Sequence, residues 1–528
     1  MADTTIPNLT AVESVAGTAL LVVDTGTQTF KITAQNLATS LQGLMDRKTV
    51  ERIRGNGNYT VPTGVTQIRV KGIVPPVIQS ITPMGNAFGW GVNFEGNIGD
   101  GTSDDRSSPV AVVGGHIFSW KPLFHGQALK PDGTAWGTGA NSYGQLGNGT
   151  IMNIYSPVPV LGGRVFEKIH NDNGSGITIY AIDRNGAVFA WGQNGDGRLG
   201  DGTIASRSSP VAVVGGHYFH DIFVGSQTVY GIKADGTPMA WGSPGGSGAL
   251  GDGTIADRSS PVAIIGGHKF VKISANTQDF NVYGLKADGS VWAWGSGSGG
   301  KLGDGTSSNR SSPVAVIGGH VFIDVIGHGN GAYALKADGS VWAWGTDNGG
   351  SMGIGVSGAG ANRSSPVAVI GGHVFKRIQI APGGSFPMAL KEDGSVWTWG
   401  DNGGIGTGAN GTGTTVAYSS PVAVIGGRQY EAVLCFPQQT FFLTREGRLY
   451  GCGANGNGNL GDGTVANRSS PVAVIGSYTF GRAAPLKETV LTVKAGDVLP
   501  FSSHLGYFGS ANVGRDAEEI EIDYWIET

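Results

Sequence analysis

A tryptophan followed by glycine, or an equivalent pair, returns at Trp90, Trp136, Trp191, Trp241, Trp294, Trp344, Trp399 and Tyr450, at intervals of about 46 to 55 residues. A period of that size marks stacked supersecondary units, and it overrides the three or four domains that length alone suggests. Within a unit the sequence reads as four short strands, for example Val314 to Ile317, Val321 to Ile326, Ala332 to Lys336 and Val341 to Gly345. The last two are joined through Asp338-Gly339, a hairpin signal because both central turn residues need positive φ. The dipeptide returns at Asp132-Gly133, Asp235-Gly236, Asp288-Gly289 and Asp393-Gly394, as Asn185-Gly186, and in weaker form at Glu446-Gly447 and Gly85-Asn86. With 93 glycines in 528 residues and only 14 % charged residues, the chain has too few helix formers for a helical bundle. Its 12 Trp, 20 Phe and 14 Tyr are ample for a core, so it is not a disordered chain.

A four-stranded unit of this size cannot bury both its faces alone, and radial stacking of such units gives an all-β, closed β-propeller. Eight units predict eight blades; a seven-bladed ring with one degenerate unit outside it is the alternative. The first unit lacks a leading strand ahead of Ile81, and the last runs past Pro471-Val472-Ala473-Val474 into Tyr478-Thr479-Phe480. The C-terminal end of the array is therefore expected to complete the first blade.

Trp-Gly, then Leu-Gly-Asp-Gly-Thr, Arg-Ser-Ser-Pro-Val, Gly-Gly-His with an aromatic, and Leu-Lys-Ala-Asp-Gly-Ser-Val-Trp make up one unit. This string resembles the repeats of the regulator of chromosome condensation family, and the resemblance covers about residues 77 to 481. It implies a propeller, commonly of seven blades, and a protein-binding role, since some relatives inhibit an enzyme or exchange nucleotide on a small GTPase.

The aspartate of Gly-Asp-Gly-Thr stands at Asp100, Asp201, Asp252, Asp304 and Asp462, followed by Arg106, Arg207, Arg258, Arg310 and Arg468. In the second unit both change, to Asn148 and Tyr155, and the seventh lacks both; the sixth keeps Arg363 alone. Loss of the two together suggests an ion pair that pins the long loop of each unit. One carboxylate per loop falls short of the six to eight oxygens calcium takes, so a metal role is not expected. His116, His217, His268, His320 and His373 follow Gly-Gly; equivalent places on different blades lie far apart, so they read as repeat decoration. No nucleophile elbow or paired carboxylates interrupt the pattern, which predicts no enzyme, no cofactor and no metal. Recognition is expected where the repeat is broken, in glycine-rich loops on a rigid frame. The candidates are Asn173, Ser243, His328, Asn330, Ser351, Asn362, Asp401, Asn402 and Asn410.

Outside the repeats, residues 1–50 read as a hairpin of Ala19 to Val23 with Thr29 to Thr33, then a helix from about Ala34 to Leu44. Residues 51–76 and 482–528 carry further strands, Asn58 to Val65 with Gln67 to Val70, Val490 to Val493 and Ile520 to Ile526. Pairing the two ends predicts a small β-rich domain with the propeller, residues 77–481, inserted between its halves. The stretch from Ile6 to Thr33 resembles the attachment region of tailed-bacteriophage fibre and appendage proteins. That resemblance implies a virion structural and host-binding protein, fixed to other virion proteins by its N-terminal module as a homo-oligomer, displaying the propeller to a host receptor or glycan and released by lysis. The alternative is a soluble propeller acting as a protein-interaction module. A net charge of −4 with no basic run argues against nucleic acid, and no apolar stretch is long enough for membrane insertion. Cys435 and Cys452 are too few for a disulfide framework and read as small buried residues.

Overall fold

The computed structural model describes residues 87–118, 127–171, 177–275, 279–380, 386–401, 408–436 and 438–476, together with the backbone of flanking strands at 11–15, 18–23, 49–54, 57–60, 65–73, 489–492, 498–501 and 519–526. The chain divides into two compact bodies, one of Met1–Val77, Arg482–Gly506 and Arg515–Thr528, the other of Ile78–Gly481 and Tyr507–Gly514.

In the first body a six-stranded sheet runs in the order Ala11–Val15, Thr18–Val23, Thr49–Arg54, Glu519–Ile526, Val65–Ile73 and Thr489–Thr492, so strands from the two ends of the chain pair. Thr18–Val23 pairs antiparallel with Ala11–Val15 and parallel with Thr49–Arg54, and Thr29 to Thr33, its hairpin partner as read from the sequence, lie outside the described residues. Residues 24 to 48, including the expected helix, lie outside the described residues. Gly57–Thr60 and Val65–Ile73 do not pair with each other; the former pairs with Val498–Phe501 and the latter with the central C-terminal strand.

The second body is an all-β propeller with seven blades of three or four strands, six of them four-stranded, beside a two-stranded sheet formed by Phe88–Gly91 and Arg106–Ala111. A complete blade takes its strands in sequence order, as in Asp221–Val224, Thr228–Ile232, Pro238–Gly242 and Arg258–Ala263. This frame corrects the strand grouping read from the repeat. The strand expected to open a unit, Val314 to Ile317, is Arg310–Ala315, and it closes the preceding blade by pairing Arg310 with Gly295 and Ala315 with Trp292. Its proline explains the placement: a residue without an N–H fits an edge strand, and the fourth strand is the outer edge of every complete blade. The first strands lie innermost, since those at Phe166–Asn171, Asp221–Val224, Lys272–Ala275, Asp324–His328, Arg377–Ile380 and Ala432–Cys435 contact one another in succession. Residues 77–86 and 477–481, on which the strand-completion expectation falls, lie outside the described residues.

Successive units are joined by two recurrent contacts. The long loop between the third and fourth strands reaches the next unit, where a glycine amide donates to a backbone carbonyl on the neighbour's fourth strand. Gly149, Gly202, Gly253, Gly305, Gly355 and Gly413 donate to Ser208, Ser259, Ser311, Ser364, Ser419 and Ser469, and Gly101 to Tyr155, at 2.7–2.9 Å. Gly463 of the last unit donates in the same way to Ser107 of the first, at 2.8 Å. These glycines hold positive φ, and earlier in the loop Gly200, at φ +67°, leaves no room for a side chain, because a Cβ there would sit 2.8 Å from the indole nitrogen of Trp241.

The second contact is a carbonyl shared by two donors. Ala249 O accepts from Tyr230 OH of its own unit at 2.7 Å and from Trp294 Nε1 of the next at 2.8 Å. Arg198 O does the same for Tyr180 and Trp241, and Ser351 O for Tyr333 and Trp399. Trp90 Nε1 donates to Asn459 O, 3.1 Å away, again linking the last unit to the first.

Sheet register corrects two members of the tryptophan series. Gly192 pairs with Arg207, and the equivalent pairs are Gly139 with Ile154 and Gly453 with Arg468. Thr138 and Cys452 therefore stand in the place of Trp191, while Trp136 and Tyr450 lie two residues earlier and are only half-buried. The lost volume in the last unit is refilled. Phe442 occupies the place that is Gly231, Gly284 or Ala334 elsewhere, and its ring, fully buried, stands beside Gly411 where other units have the indole.

Truncating Trp294 to alanine removes a buried ring and its shared carbonyl contact, with an expected loss of about 3–5 kcal/mol. Phe442→Ala is expected to cost nearly as much and Cys452→Ala far less, read as urea midpoints. Equal losses for the last two would show that the phenyl ring has not taken over the indole's packing.

Candidate functional site

The long loops are ordered by a knot of side chains around one carboxylate. In the third unit Asp201 accepts from Arg207 at 2.7 Å, from Thr203 Oγ1 at 2.8 Å and from the Asn194 side chain at 3.1 Å. Arg106–Asp100, Arg258–Asp252 and Arg310–Asp304 meet at 2.7 Å and Arg468–Asp462 at 2.8 Å, each carboxylate buried and each guanidinium about one third exposed. Burial pushes these carboxyl groups up, but donors from threonine and arginine outweigh it and hold them below the ordinary value. A half-exposed pair of this kind contributes little energy and mainly fixes the loop. Where the pair is absent, other groups replace it. In the seventh unit Thr414 Oγ1 lies 2.9 Å from Tyr418 OH, and in the sixth Asp347 accepts from the Gly350, Met352 and Gly358 amides while Arg363 donates to the Gly360 and Asn362 carbonyls.

Three of the loop candidates lie in the interior instead of at the surface. His328 stacks on Tyr333 at a centroid distance of 4.8 Å, and burial, with Lys301 nearby, pushes its ring down to about 3, so it is neutral. Ser351 supplies the carbonyl shared by Tyr333 and Trp399, and buried Asn410 accepts from Thr412. All three are buried, His328 at the end of the innermost strand Asp324–His328. Ser243, Asn330, Asn362 and Asp401 are half-buried; the Asn362 side chain accepts from the Asp347 amide at 2.8 Å. Asn173 and Asn402 lie outside the described residues.

One recurrent set of exposed apolar side chains falls elsewhere on the same loops; another, Tyr218, Val321 and Val374 at 62–65 %, follows the histidines of Gly-Gly-His. Ile151, Ile204, Ile255 and Val465 directly follow the knot threonine, and Val356 and Val416 stand at or near the same place; with Phe94 and Met152 they are 52–69 % exposed. The signal was present as a branched apolar residue after Gly-Asp-Gly-Thr, inside a polar loop.

The glycine-linked histidines do not converge. Each of His116, His268, His320 and His373 packs on a tryptophan of the next unit, Trp136, Trp292, Trp342 or Trp397, at 4.1–4.5 Å. Lys130, Lys286, Lys336 and Lys391 sit over the same rings at 3.5–4.4 Å. Burial, then the lysine, lowers the pKa of these histidines and of His217. Where the lysine is replaced by Asp183 or Thr444, the histidine before it is replaced by Arg164 or Arg428, whose guanidinium covers Phe189 at 4.1 Å or Tyr450 at 4.4 Å. One cation is thus kept on each of these rings, from whichever side supplies it.

A second set of charges lies on the innermost strands. Lys168, Asp221, Lys272, Asp324, Arg377 and Ala432 occupy one register position, each opposite the last apolar residue of the second strand, Ile182, Ile232, Leu285, Leu335, Leu390 or Leu443. Lys272 of the fifth unit pairs with Asp324 of the sixth, and both are buried. Asp221 of the fourth faces Lys168 and His170 of the third at 3.6 and 3.5 Å, and Lys168 also donates to the His220 carbonyl at 2.9 Å. The sequence places all six at a fixed offset, two residues after the aromatic that follows Gly-Gly-His or Gly-Gly-Arg. Among the described residues no group of three His, Cys, Asp or Glu is placed to hold a metal ion.

The regulator of chromosome condensation (RCC1) repeat profile matches residues 185–231, 288–335 and 446–497. The chain is 30 % identical over 269 residues to human E3 ubiquitin-protein ligase HERC2, a match covering 50 % of this chain and 6 % of that protein. To human probable E3 ubiquitin-protein ligase HERC3 it is 30 % identical over 142 residues, 26 % of this chain and 13 % of that protein. Among solved structures, Prp20p from Saccharomyces cerevisiae, described with its binding properties to Gsp1p and histones, superposes with a TM-score of 0.51 at 17 % identity, covering 76 % of this chain and 93 % of that one. Human WBSCR16 gives a TM-score of 0.51 at 17 % identity, over 78 % and 94 %. The structural likeness is one of fold.

Both sets of lowered pKa values give stability that is complete at high pH and lost in acid. A histidine kept neutral by the fold binds its proton more readily when unfolded, so stability falls as pH drops below about 6.5. The knot aspartates give a second fall below about 3.9, as pH passes toward their depressed folded values. The urea midpoint is expected to hold constant from pH 8 to 7 and then decline in these two stages. Combined His268→Phe, His320→Phe and His373→Phe should shrink the first stage alone; an unchanged first stage would remove the histidines as its cause.

Proposed function

We propose that this RCC1-repeat propeller is a non-enzymatic protein-interaction module in which eight units form one ring and the loop tips of one side carry the contact. The ring count is supported by the link from the last unit back to the first, where Gly463 with Ser107 and Trp90 with Asn459 repeat the contacts made between other neighbours. The two-stranded sheet then counts as the eighth blade.

The observation that carries the interaction reading is the exposure of branched apolar side chains directly after the knot threonine, Ile151, Ile204, Ile255 and Val465, with Val356 and Val416 at or near the same place. Single exposed apolar residues are ordinary, but recurrence at one structural position on rigid loops is what a contact surface requires. The loops are held by the carboxylate knot and by the amide donated to the next unit, so the tips lose little freedom when a partner binds. The comparisons favour a protein partner over virion display, because the matches are to repeat propellers and one of them, Prp20p, is described by its binding to other proteins. Attachment to a virion through the N-terminal flank stays a separate proposal, read from residues 6–33 alone.

Exchanging Ile151, Ile204, Ile255 and Val465 for serine is expected to leave the urea midpoint within about 0.5 M, since exposed positions contribute little to folding. The same exchange should abolish the chemical cross-links that the parent chain forms with its partner in cells. A variant that keeps the parent's cross-linked partner and yield would sink the tip surface.

A further inference from the structure

Nearly every contact that joins neighbours is the same at each junction. Six of the fourth strands are the identical hexapeptide Arg-Ser-Ser-Pro-Val-Ala, at Arg106–Ala111, Arg207–Ala212, Arg258–Ala263, Arg310–Ala315, Arg363–Ala368 and Arg468–Ala473. The glycine amide that crosses to them is also the same at every junction. Such contacts cannot tell a unit's own neighbour from any other unit, or from a unit of a second chain. A head-to-tail contact that fails to close on itself propagates into open assemblies.

The innermost strands differ where the outer ones repeat: they read Phe-Glu-Lys-Ile-His-Asn, Asp-Ile-Phe-Val, Lys-Ile-Ser-Ala, Asp-Val-Ile-Gly-His, Arg-Ile-Gln-Ile and Ala-Val-Leu-Cys. Their shared register position carries, in order, Lys168, Asp221, Lys272, Asp324, Arg377 and Ala432, so the sign alternates from one unit to the next and the charge ends at the last. The four charges from Asp221 to Arg377 are buried, where a like-charged neighbour is costly and an opposite one is required. The pairs cross unit boundaries: Lys168 and His170 of the third unit face Asp221 of the fourth, and Lys272 of the fifth meets Asp324 of the sixth.

We propose that the alternating charges on the innermost strands are an address that sets the order of the units. They admit a neighbour of opposite sign and reject docking that brings like charges together, whether within the chain or on a second copy of it. The role is one of specificity. Apolar residues at these positions would pack at least as well, as exchanges of buried ion pairs for apolar groups often do, but they would accept any neighbour.

The experiment uses the full chain and four variants, Lys272→Asp, Asp324→Lys, the two together, and Lys272→Met with Asp324→Leu. Each is unfolded in urea, refolded by dilution, and measured for urea midpoint and for mass by light scattering after gel filtration. Each single reversal should lower the midpoint by roughly 1 M or more and add species heavier than the parent's. The double reversal should recover more than half of that loss and most of the parent mass. Recovery stays partial because the introduced aspartate then stands next to Asp221, and the introduced lysine next to Arg377. The apolar pair should keep or raise the midpoint and still refold into more heavy species than the parent. The address is overturned if the single reversals refold like the parent, if the double reversal is no better than the singles, or if the apolar pair refolds to the parent mass alone. Should a single reversal fail to fold, the double reversal and the apolar pair decide the matter between them.

Discussion

A backbone amide given by one unit to the carbonyl of the next is the contact on which the rest of the propeller depends. It recurs from Gly101 to Gly463, and it exists because the loop that carries it turns through glycines at positive φ beside the neighbour's indole. A four-stranded unit alone leaves both faces wet. Only once the loop has crossed over does the next unit's ring close the core, as Trp294 does against Tyr230 over the carbonyl of Ala249. Glycine content, loop length and tryptophan period are therefore three signs of one constraint.

That constraint tolerates substitution when the same volume or charge arrives from elsewhere. Phe442 fills space where Cys452 replaces an indole. Arg164 and Arg428 supply the cation that Asp183 and Thr444 do not. Thr412, Thr414 and Tyr418 are linked where other units have an aspartate, a threonine and an arginine. Each exchange involves residues in contact across a blade or a junction, so the repeat keeps its physics where it loses its letters.

The period, the hairpin turns and the all-β architecture were legible because they are local, fixed by Asp-Gly turns and by residues within one unit. Blade framing was not, since the pairing of Arg310–Ala315 with the strand before it depends on hydrogen bonding that a repeat alignment leaves open. The same gap misplaced Trp136 and Tyr450. A Trp-Gly pair is visible in the letters, but only sheet register shows that Thr138 and Cys452 occupy the buried site. His328, Ser351 and Asn410 stand where the repeat is broken, but a break in the letters does not tell a buried position from an exposed one, and all three are buried. The axial charges went unread although they stand two residues past a recurrent aromatic, because one charge per unit has no meaning until five of them share a register position.

Two sets of positions have opposite surroundings. Loop residues such as Ile204 and Val465 meet solvent, whereas the axial residues from Asp221 to Arg377 are buried and Lys272 meets Asp324 there. A ring built from near-identical parts has to solve two recognition problems, which part sits next to which and what the finished surface binds. Solving both with one set of residues would let a change of partner scramble the assembly. Placing the internal choice at the axis, where charge is costly to mismatch, frees the perimeter to vary. That separation explains why a scaffold so uniform at its junctions can carry an irregular outer face without losing its order.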